Sequence, residues 1–142
     1  MRAFLPVALV LFLLLLTNPL GAAPSGERRM AILAGLEAAA KQADPSFVGF
    51  SSARGRTLYS TEWGLGKPDT PACTSCHGQD PRGSGQTRAG KSIDPLALSA
   101  SPDRFSDPEE VEKWFGRNCR GVLGRECTPL EKGDFITYMS GL

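Results

Sequence analysis

The sequence predicts an all-α protein with one small domain, and three observations lead to this prediction. Apolar residues recur at helical spacing in four segments, and no stretch shows the sustained apolar-polar alternation of a half-buried strand. Proline, glycine and capping residues separate the segments. The chain has 142 residues. About 120 of them remain after the N-terminal segment described next, a length that suits a single domain with a modest core.

The N-terminal segment has the features of a secretory signal peptide. Arg2 precedes an apolar run over residues 3–16, and small residues follow at positions 21–23. We expect residues 1–23 to be removed and the protein to be periplasmic. The run is shorter than the roughly 20 residues that a membrane-spanning helix needs. No stable membrane insertion is therefore expected after cleavage, and an uncleaved anchor is the alternative.

The first predicted helix spans residues 27–41 within an N-terminal helical extension, residues 24–48. Pro45 follows Asp44 and is expected to end the helix. Four residues form its apolar stripe: Met30, Leu33, Leu36 and Ala40. The remainder, residues 49–142, forms the predicted main domain.

A second helix is predicted over residues 51–63, with Ser51 or Ser52 as its N-cap. Its apolar positions are Leu58 and Tyr59. Gly55 lies on the same side and would allow another helix to approach closely, or it is only a weak helix residue.

Cys73, Cys76 and His77 form a Cys-x-x-Cys-His motif after loop residues 64–72. This spacing is the attachment signature of a c-type haem, because the two thiols can form thioethers to the haem vinyl groups. The adjacent imidazole is then positioned as the proximal iron ligand. Export agrees with this interpretation, since covalent attachment takes place outside the cytoplasm. The sequence therefore predicts one covalent haem c.

The stretch over residues 78–107 is rich in glycine, proline, serine and threonine and predicts no regular structure. Such a long loop is unusual in a small domain unless a central group organises it. Its apolar residues are either contacts of the haem or packing beneath a surface loop: Ile93, Leu96, Leu98 and Phe105.

The next helix is predicted to begin at Asp107 or Pro108, with acidic residues in its first turn. Its apolar stripe is Val111, Trp114 and Phe115. A continued helix would direct Asn118 toward the buried side. The residue pattern by itself favours an asparagine that caps the helix end or binds loop backbone.

The last helix is predicted over residues 129–140, because Thr128 and Glu131 form a capping box with Pro129 at the first helical position. Its apolar face comprises Phe135, Ile136, Met139 and Leu142. Met139 matches this face, which favours a core role over iron ligation.

Two cysteines remain, Cys119 and Cys127, and in an exported protein we expect them to form a disulfide. A Cys-x-x-Cys pair also occurs in thioredoxin-like redox sites and in zinc sites. A thioredoxin-like site needs neighbouring strands, and none is predicted. A zinc site would combine the motif with Cys119 or Cys127.

His77 is the only histidine, so two histidines of one chain cannot hold the iron. The candidates for its other face are Met30, Met139, a lysine, Asn118, water or no ligand. A fixed Met139 or lysine predicts a simple electron carrier, whereas a weak ligand leaves a site for small molecules. An enzyme is a third possibility. No distal histidine is present as an acid or base, and we therefore expect no catalytic residue.

The charge balance predicts no nucleic-acid partner, since the formal net charge is only +1.

From about Gly49 onward the chain resembles the sphaeroides haem protein family, which are class I-like monohaem cytochromes c. The resemblance rests on the following segments: residues 66–77, 86–88, 101–105, 111–114, 116–119, 124–125 and 127–129. It implies a class I cytochrome c-like fold with long loops wrapped around one haem.

The resemblance also implies roles for individual residues. Cys73 and Cys76 would bind the haem and His77 would be the proximal ligand. Asn118 would be the distal ligand of oxidised iron, close to a disulfide of the two remaining cysteines. In this family the asparagine leaves the iron on reduction, which opens a site for oxygen or nitric oxide. The implied redox partners are dihaem c-type or membrane b-type cytochromes.

Overall fold

The computed structural model describes residues 23–142 as a helical protein with one very small sheet. The helices are α1 (Ser25–Ala43), α2 (Ser52–Ser60), α3 (Thr74–His77), α4 (Pro108–Leu123) and α5 (Pro129–Ser140). Strands β1 (Gly85–Gln86) and β2 (Ser92–Ile93) pair antiparallel. The all-α prediction is confirmed. All but the last residue of the predicted signal peptide lies outside the described residues.

From residue 23 to the C-terminus, none of the helices combines the length and the apolar character that a membrane span requires.

Helix α1 packs its second half against α5 and contributes Leu36 to the common core. Leu36 and Ala40 are its buried residues. The assignment of Met30 to the apolar stripe is wrong, because its side chain is 66% exposed. The buried positions begin later in the helix, and the first turns are fixed by polar contacts instead. The domain boundary between residues 48 and 49 stays a prediction.

Two arginines of α1 hold the long loop that precedes α4, and we call this pair the arginine latch. Arg28 Nε donates to the carbonyl of Ser106 over 3.1 Å. Arg29 Nε donates to the carbonyl of Arg104 over 3.0 Å. Between these carbonyls Phe105 has a φ of +58°, a backbone conformation that is strained for a bulky residue. The latch therefore fixes a turn that does not form from local preference.

The same loop is fixed internally by its own side chains and backbone. Arg104 donates to the carbonyls of Asp94 and Pro95, over 2.8 and 3.0 Å. Leu98 N–H donates to the carbonyl of Met139, which joins the loop to the end of α5. These bonds explain how a long irregular stretch belongs to the ordered fold.

Helices α2 and α5 approach each other so closely that only glycine fits at position 55. A Cβ added at Gly55 would lie 2.1 Å from the carbonyl oxygen of Asp134. The predicted close approach is therefore confirmed. Asp134 is buried, and its carboxylate accepts hydrogen bonds from Arg54 and from the backbone of Ser51, the N-cap of α2. Helix α2 ends at Ser60, three residues earlier than predicted.

Helix α4 buries Val111, Phe115 and Cys119 on one side. Phe115 meets Phe135 of α5 edge to face, with ring centroids 5.5 Å apart. The assignment of Trp114 to the buried stripe is wrong, since it is 41% exposed. Its indole N–H donates to the carboxylate of Glu110 on the same helix, which holds the ring on the flank of the helix.

Helix α5 has the predicted bounds and the predicted capping box. Thr128 accepts from the backbone N–H of Glu131, and the Glu131 carboxylate accepts from the backbone N–H of Thr128. Phe135, Ile136 and Met139 are buried, as expected. Because Met139 is 0% exposed, its side chain is part of the core.

Candidate functional site

The Cys-x-x-Cys-His motif forms a single helical turn. The backbone N–H of His77 donates to the carbonyl of Cys73 over 3.1 Å, which closes the turn. Ser75 Oγ accepts from the N–H of Ala72 at its start. Gly78 ends it with a φ of +74°. Because Cys73 and Cys76 are three positions apart on a helical turn, their thiols lie on the same side.

Residues outside the motif also contact this turn and hold it in place. Tyr59 of α2 donates from its hydroxyl to the carbonyl of Gly78 over 2.6 Å. A Cβ added at Gly85 would lie 2.2 Å from the carbonyl oxygen of Cys76, so only glycine fits there. The turn is consequently held between α2 and β1. This fixes the backbone from which the side chains of Cys73, Cys76 and His77 extend.

His77 has the protonation state that iron binding needs. Cys73 and Cys76 are both free, so they are not oxidised to a disulfide with each other. Burial raises the pKa of the Cys73 thiol to about 11. Burial, and secondarily the positive charge of Arg104, lowers the pKa of His77 to about 4. The imidazole is therefore neutral at ordinary pH, which is the form that binds iron. These residues fit a c-type haem.

Asn118 lies within α4 and not at its end. The helix continues for five residues beyond it to Leu123, where Gly124 provides the cap with a φ of +69°. The interpretation of Asn118 as a helix cap is therefore wrong. A cap requires the last turn, and Asn118 precedes that turn.

The side chain of Asn118 lies on the edge of the buried face. At 3.6 residues per turn it falls between Trp114, one turn earlier, and the buried Val111 and Val122. Asn118 itself is exposed. Its contact with a haem stays a prediction.

The residue after Asn118 is fixed by a covalent bond. Cys119 and Cys127 form a disulfide with Cα atoms 5.5 Å apart, as predicted. Both cysteines are buried. Since the disulfide uses both sulfur atoms, neither is free to complete a zinc site with Cys73 and Cys76.

The loop that leads to Cys73 also contacts the end of α4, and the sequence analysis did not predict this contact. The N–H of Gly66 donates to the carbonyl of Val122 over 3.1 Å, and the N–H of Lys67 donates to that of Gly121 over 2.7 Å. The loop that leads to Cys73 therefore satisfies the free carbonyls at the end of α4. No side-chain pattern marks this contact, because its donors are backbone atoms.

The other candidate iron ligands differ in their burial and in their ion pairs. Met139 is enclosed in the core, whereas Met30 is exposed on α1. Two lysines close to Asn118 in sequence have carboxylate partners, Lys113 with Glu110 and Lys132 with Glu112.

The apolar residues of the long loop are only partly gathered into the core. Leu96 is buried, and Phe105 packs against the core while partly exposed. Ile93 and Leu98 are partly buried. Their contact with a haem stays a prediction.

Known proteins similar to this chain agree with the geometry. A family model described as a domain of unknown function, DUF1924, matches residues 45–139. Cytochrome c-type protein SHP of Cereibacter sphaeroides is 52% identical over 132 residues, 91% of this chain and 96% of that protein. Cytochrome c'' of Methylophilus methylotrophus is 34% identical over 101 residues, 70% of each protein.

The chain belongs to the sphaeroides haem protein family. Its cofactor is haem c, and the single Cys-x-x-Cys-His motif makes it a monohaem cytochrome. The match over 91% of the chain also reaches well into the segment before Gly49.

Solved structures confirm the fold. Oxidised SHP, described as an oxygen-binding cytochrome c, matches with a TM-score of 0.74 and 49% identity, over 80% of this chain and 96% of that one. Oxidised cytochrome c'' from Methylophilus methylotrophus gives 0.67 and 30%, over 80% and 93%. The solution structure of cytochrome c'', which addresses haem-ligand detachment, gives 0.67 and 30%, over 80% and 92%.

Proposed function

We propose that this protein is a periplasmic cytochrome c that exchanges one electron with a redox partner and binds a small diatomic ligand when reduced. The bound haem supplies an iron that changes oxidation state and accepts an axial ligand. The residues of the chain determine which ligands reach that iron and when.

Cys73 and Cys76 attach the haem through thioethers in this proposal, and His77 is the proximal ligand. The support is the closed turn that carries all three residues, together with the free thiols and the neutral imidazole. Tyr59 and Gly85 contact the backbone of this turn and hold it in place, so the imidazole extends from a fixed position. His77, whose backbone is held in place, is the proposed ligand that stays on the iron in both oxidation states.

Asn118 is the proposed distal ligand of the oxidised iron. This assignment depends on the position of Asn118 on α4, between Trp114 and the buried face. Met139 is enclosed in the core, and Met30 is exposed on α1. An amide oxygen is a hard, weak donor that suits ferric iron better than ferrous iron. Asn118 therefore detaches on reduction and leaves the distal position open.

The ligand of the open position is a small diatomic molecule such as oxygen or nitric oxide. This part rests on family membership, since the related SHP is described as an oxygen-binding cytochrome c. Trp114, beside Asn118, offers an apolar neighbour to such a ligand. The proposed electron partners are other cytochromes, of the dihaem c type or the membrane b type.

The replacement Asn118→Ala tests the distal assignment. We expect the haem to remain attached and the ferric electron paramagnetic resonance spectrum to change, because the amide ligand is lost. Glu109→Ala is the matched control, since Glu109 is exposed on the opposite face of the same helix. An unchanged ferric signature in Asn118→Ala removes Asn118 from the proposal.

A further inference from the structure

A groove with a volume of about 530 Å³ lies on the side of α4 away from Asn118. Four parts of the chain form it: α4, the connection between α4 and α5, the start of α5, and the loop that leads to Cys73. Its basic side chains are Lys67, Lys113, Arg117, Arg120 and Lys132. No residue of the Cys-x-x-Cys-His motif lines it, so the groove is separate from the proposed haem site.

The groove concentrates positive charge in a chain that is nearly neutral. Its lining includes five basic side chains and only two acidic ones, Glu112 and Glu126. The formal net charge of the whole chain is +1. Three of the groove's cations have a carboxylate partner, Lys113 with Glu110, Arg120 with Glu126 and Lys132 with Glu112. Among the described residues, the unpaired positive charges of the groove are therefore those of Lys67 and Arg117. A groove of this kind attracts anions and raises their local concentration.

Lys67 and Arg117 are the cations of the groove whose charge is available to a ligand, and the Arg117 guanidinium lies 5.6 Å from the centroid of the Trp114 ring. The Lys132 side chain is only 14% exposed, and Glu112 is its one carboxylate partner, at 2.6 Å. Within residues 23–142, no carboxylate lies within ion-pairing distance of Lys67 or Arg117. Lys132 already has a counter-charge, so a bound anion would gain most from the two cations without a carboxylate partner.

Two glycines of α4 line the groove without a structural requirement for glycine. A Cβ added at Gly116 would meet nothing within 4 Å, and one at Gly121 would only reach Thr70 Oγ1 at 4.0 Å. Neither residue has a positive φ. Glycine disfavours a helix relative to alanine, so packing and backbone geometry do not explain these two. Their shared effect is to keep the groove open close to the helix backbone.

We propose that this groove, where five basic side chains surround the bare backbone of Gly116 and Gly121, binds a small multiply charged anion of the phosphate or polycarboxylate class. The ligand contacts the basic side chains through charge-assisted hydrogen bonds and lies against the helix backbone. It bridges α4, α5 and the loop before Cys73, and therefore stabilises the fold when bound. This inference does not depend on the roles proposed for Asn118 or His77.

Titration calorimetry of the haem-loaded protein with pyrophosphate and with citrate, at low ionic strength, tests the charge requirement. We expect saturable binding of one anion per chain by at least one of the two probes. The probe that binds identifies the phosphate or the polycarboxylate class. Lys67→Ala is expected to weaken binding about tenfold, the effect of one charged hydrogen bond. Arg56→Ala removes an exposed arginine of α2 outside the groove and is expected to leave binding unchanged.

Gly116→Ala tests the open groove and separates binding from folding. We expect a higher melting temperature, because alanine favours the helix, together with anion binding weakened tenfold or more. Gly35→Ala is the matched control. It also replaces an open helical glycine, in α1, and is expected to raise the melting temperature without affecting binding.

Three results would overturn the inference. The first is the absence of saturable binding by either probe. The second is an equal loss of affinity in Lys67→Ala and Arg56→Ala, which would indicate only general electrostatic attraction. The third is wild-type affinity in Gly116→Ala.

Discussion

The turn that carries His77 and the segment of α4 that carries Asn118 are held in different ways. Backbone hydrogen bonds close the turn. From outside it, Gly85 packs closely against the turn and the Tyr59 hydroxyl donates a hydrogen bond to it. Asn118 is positioned by the direction of its helix, whose end the loop before Cys73 holds, and by the disulfide at the next residue. The first arrangement fixes the backbone of the motif turn through close packing, whereas the second fixes a long helix through a covalent bond beside Asn118.

This difference agrees with the proposed chemistry of the two sides. A proximal ligand has to stay on the iron in both oxidation states, and a closed turn with tight packing provides that. A distal ligand that detaches on reduction has to move while its helix stays in place. The disulfide at the adjacent Cys119 holds the backbone there.

The largest effect is expected from Gly85→Ala, which attacks the firmly held side. The new methyl group would lie 2.2 Å from the Cys76 carbonyl oxygen, so the motif turn or β1 has to shift. We expect a loss of about 3 kcal/mol in the free energy of unfolding, the upper range for overpacking. A lower yield of haem-loaded protein is expected as well. Chemical denaturation and the absorbance of the purified protein measure both.

Gly83→Ala is the control for that replacement, because its Cβ would lie 3.4 Å from the nearest atom, the Asp80 carbonyl oxygen. It is expected to behave like the unchanged protein. If Gly85→Ala is equally harmless, the motif turn is not held by close packing and the contrast between the two sides fails.

The double replacement Cys119→Ala/Cys127→Ala sharpens the comparison on the distal side. The two cysteines are eight positions apart in sequence, and a crosslink over so short a loop contributes roughly 2.5 kcal/mol in the chain-entropy model. We expect this loss of stability together with a changed ferric axial signature, because the backbone at Asn118 is less constrained. Haem attachment is expected to persist. A ferric spectrum identical to that of the unchanged protein would mean that helix packing alone positions Asn118.

A smaller effect is expected from the arginine latch. Arg29→Ala removes the hydrogen bonds from α1 to the carbonyls of Arg104 and Pro102, so the strained turn at Phe105 loses support. We expect a loss of about 1 kcal/mol and faster amide hydrogen exchange over residues 102–106. Lys41→Ala is the control, since Lys41 pairs only with Glu37 of its own helix. Equal exchange in both variants would show that the latch does not hold the loop.

Local patterns in the sequence predicted the firmly held parts of the molecule. The capping box at Thr128 fixed both ends of the α5 prediction, because cap, proline and apolar face all agree. The Cys-x-x-Cys-His motif predicted the haem c cofactor. Gly55 was correctly interpreted as a point of close helix approach. In each case the information lies within a few neighbouring residues.

Features that depend on distant parts of the chain were not predictable. Helical spacing placed Met30 and Trp114 in apolar stripes, but spacing does not show where a neighbouring element ends, and both are exposed. The bonds from the arginine latch join residues more than 70 positions apart. The residue pattern favoured Asn118 as a helix cap because asparagine commonly ends helices, but the helix continues to Leu123. The family resemblance gave the distal role, which the residue pattern alone did not.

The central claim is that the reduced protein keeps His77 and releases Asn118. The most direct measurement is the optical spectrum of the dithionite-reduced protein before and after addition of carbon monoxide. We expect a high-spin ferrous spectrum that shifts promptly to the carbon monoxide form, because the distal position is open. A low-spin ferrous spectrum that carbon monoxide does not change would contradict the account and indicate a fixed sixth ligand, Met139 or a lysine.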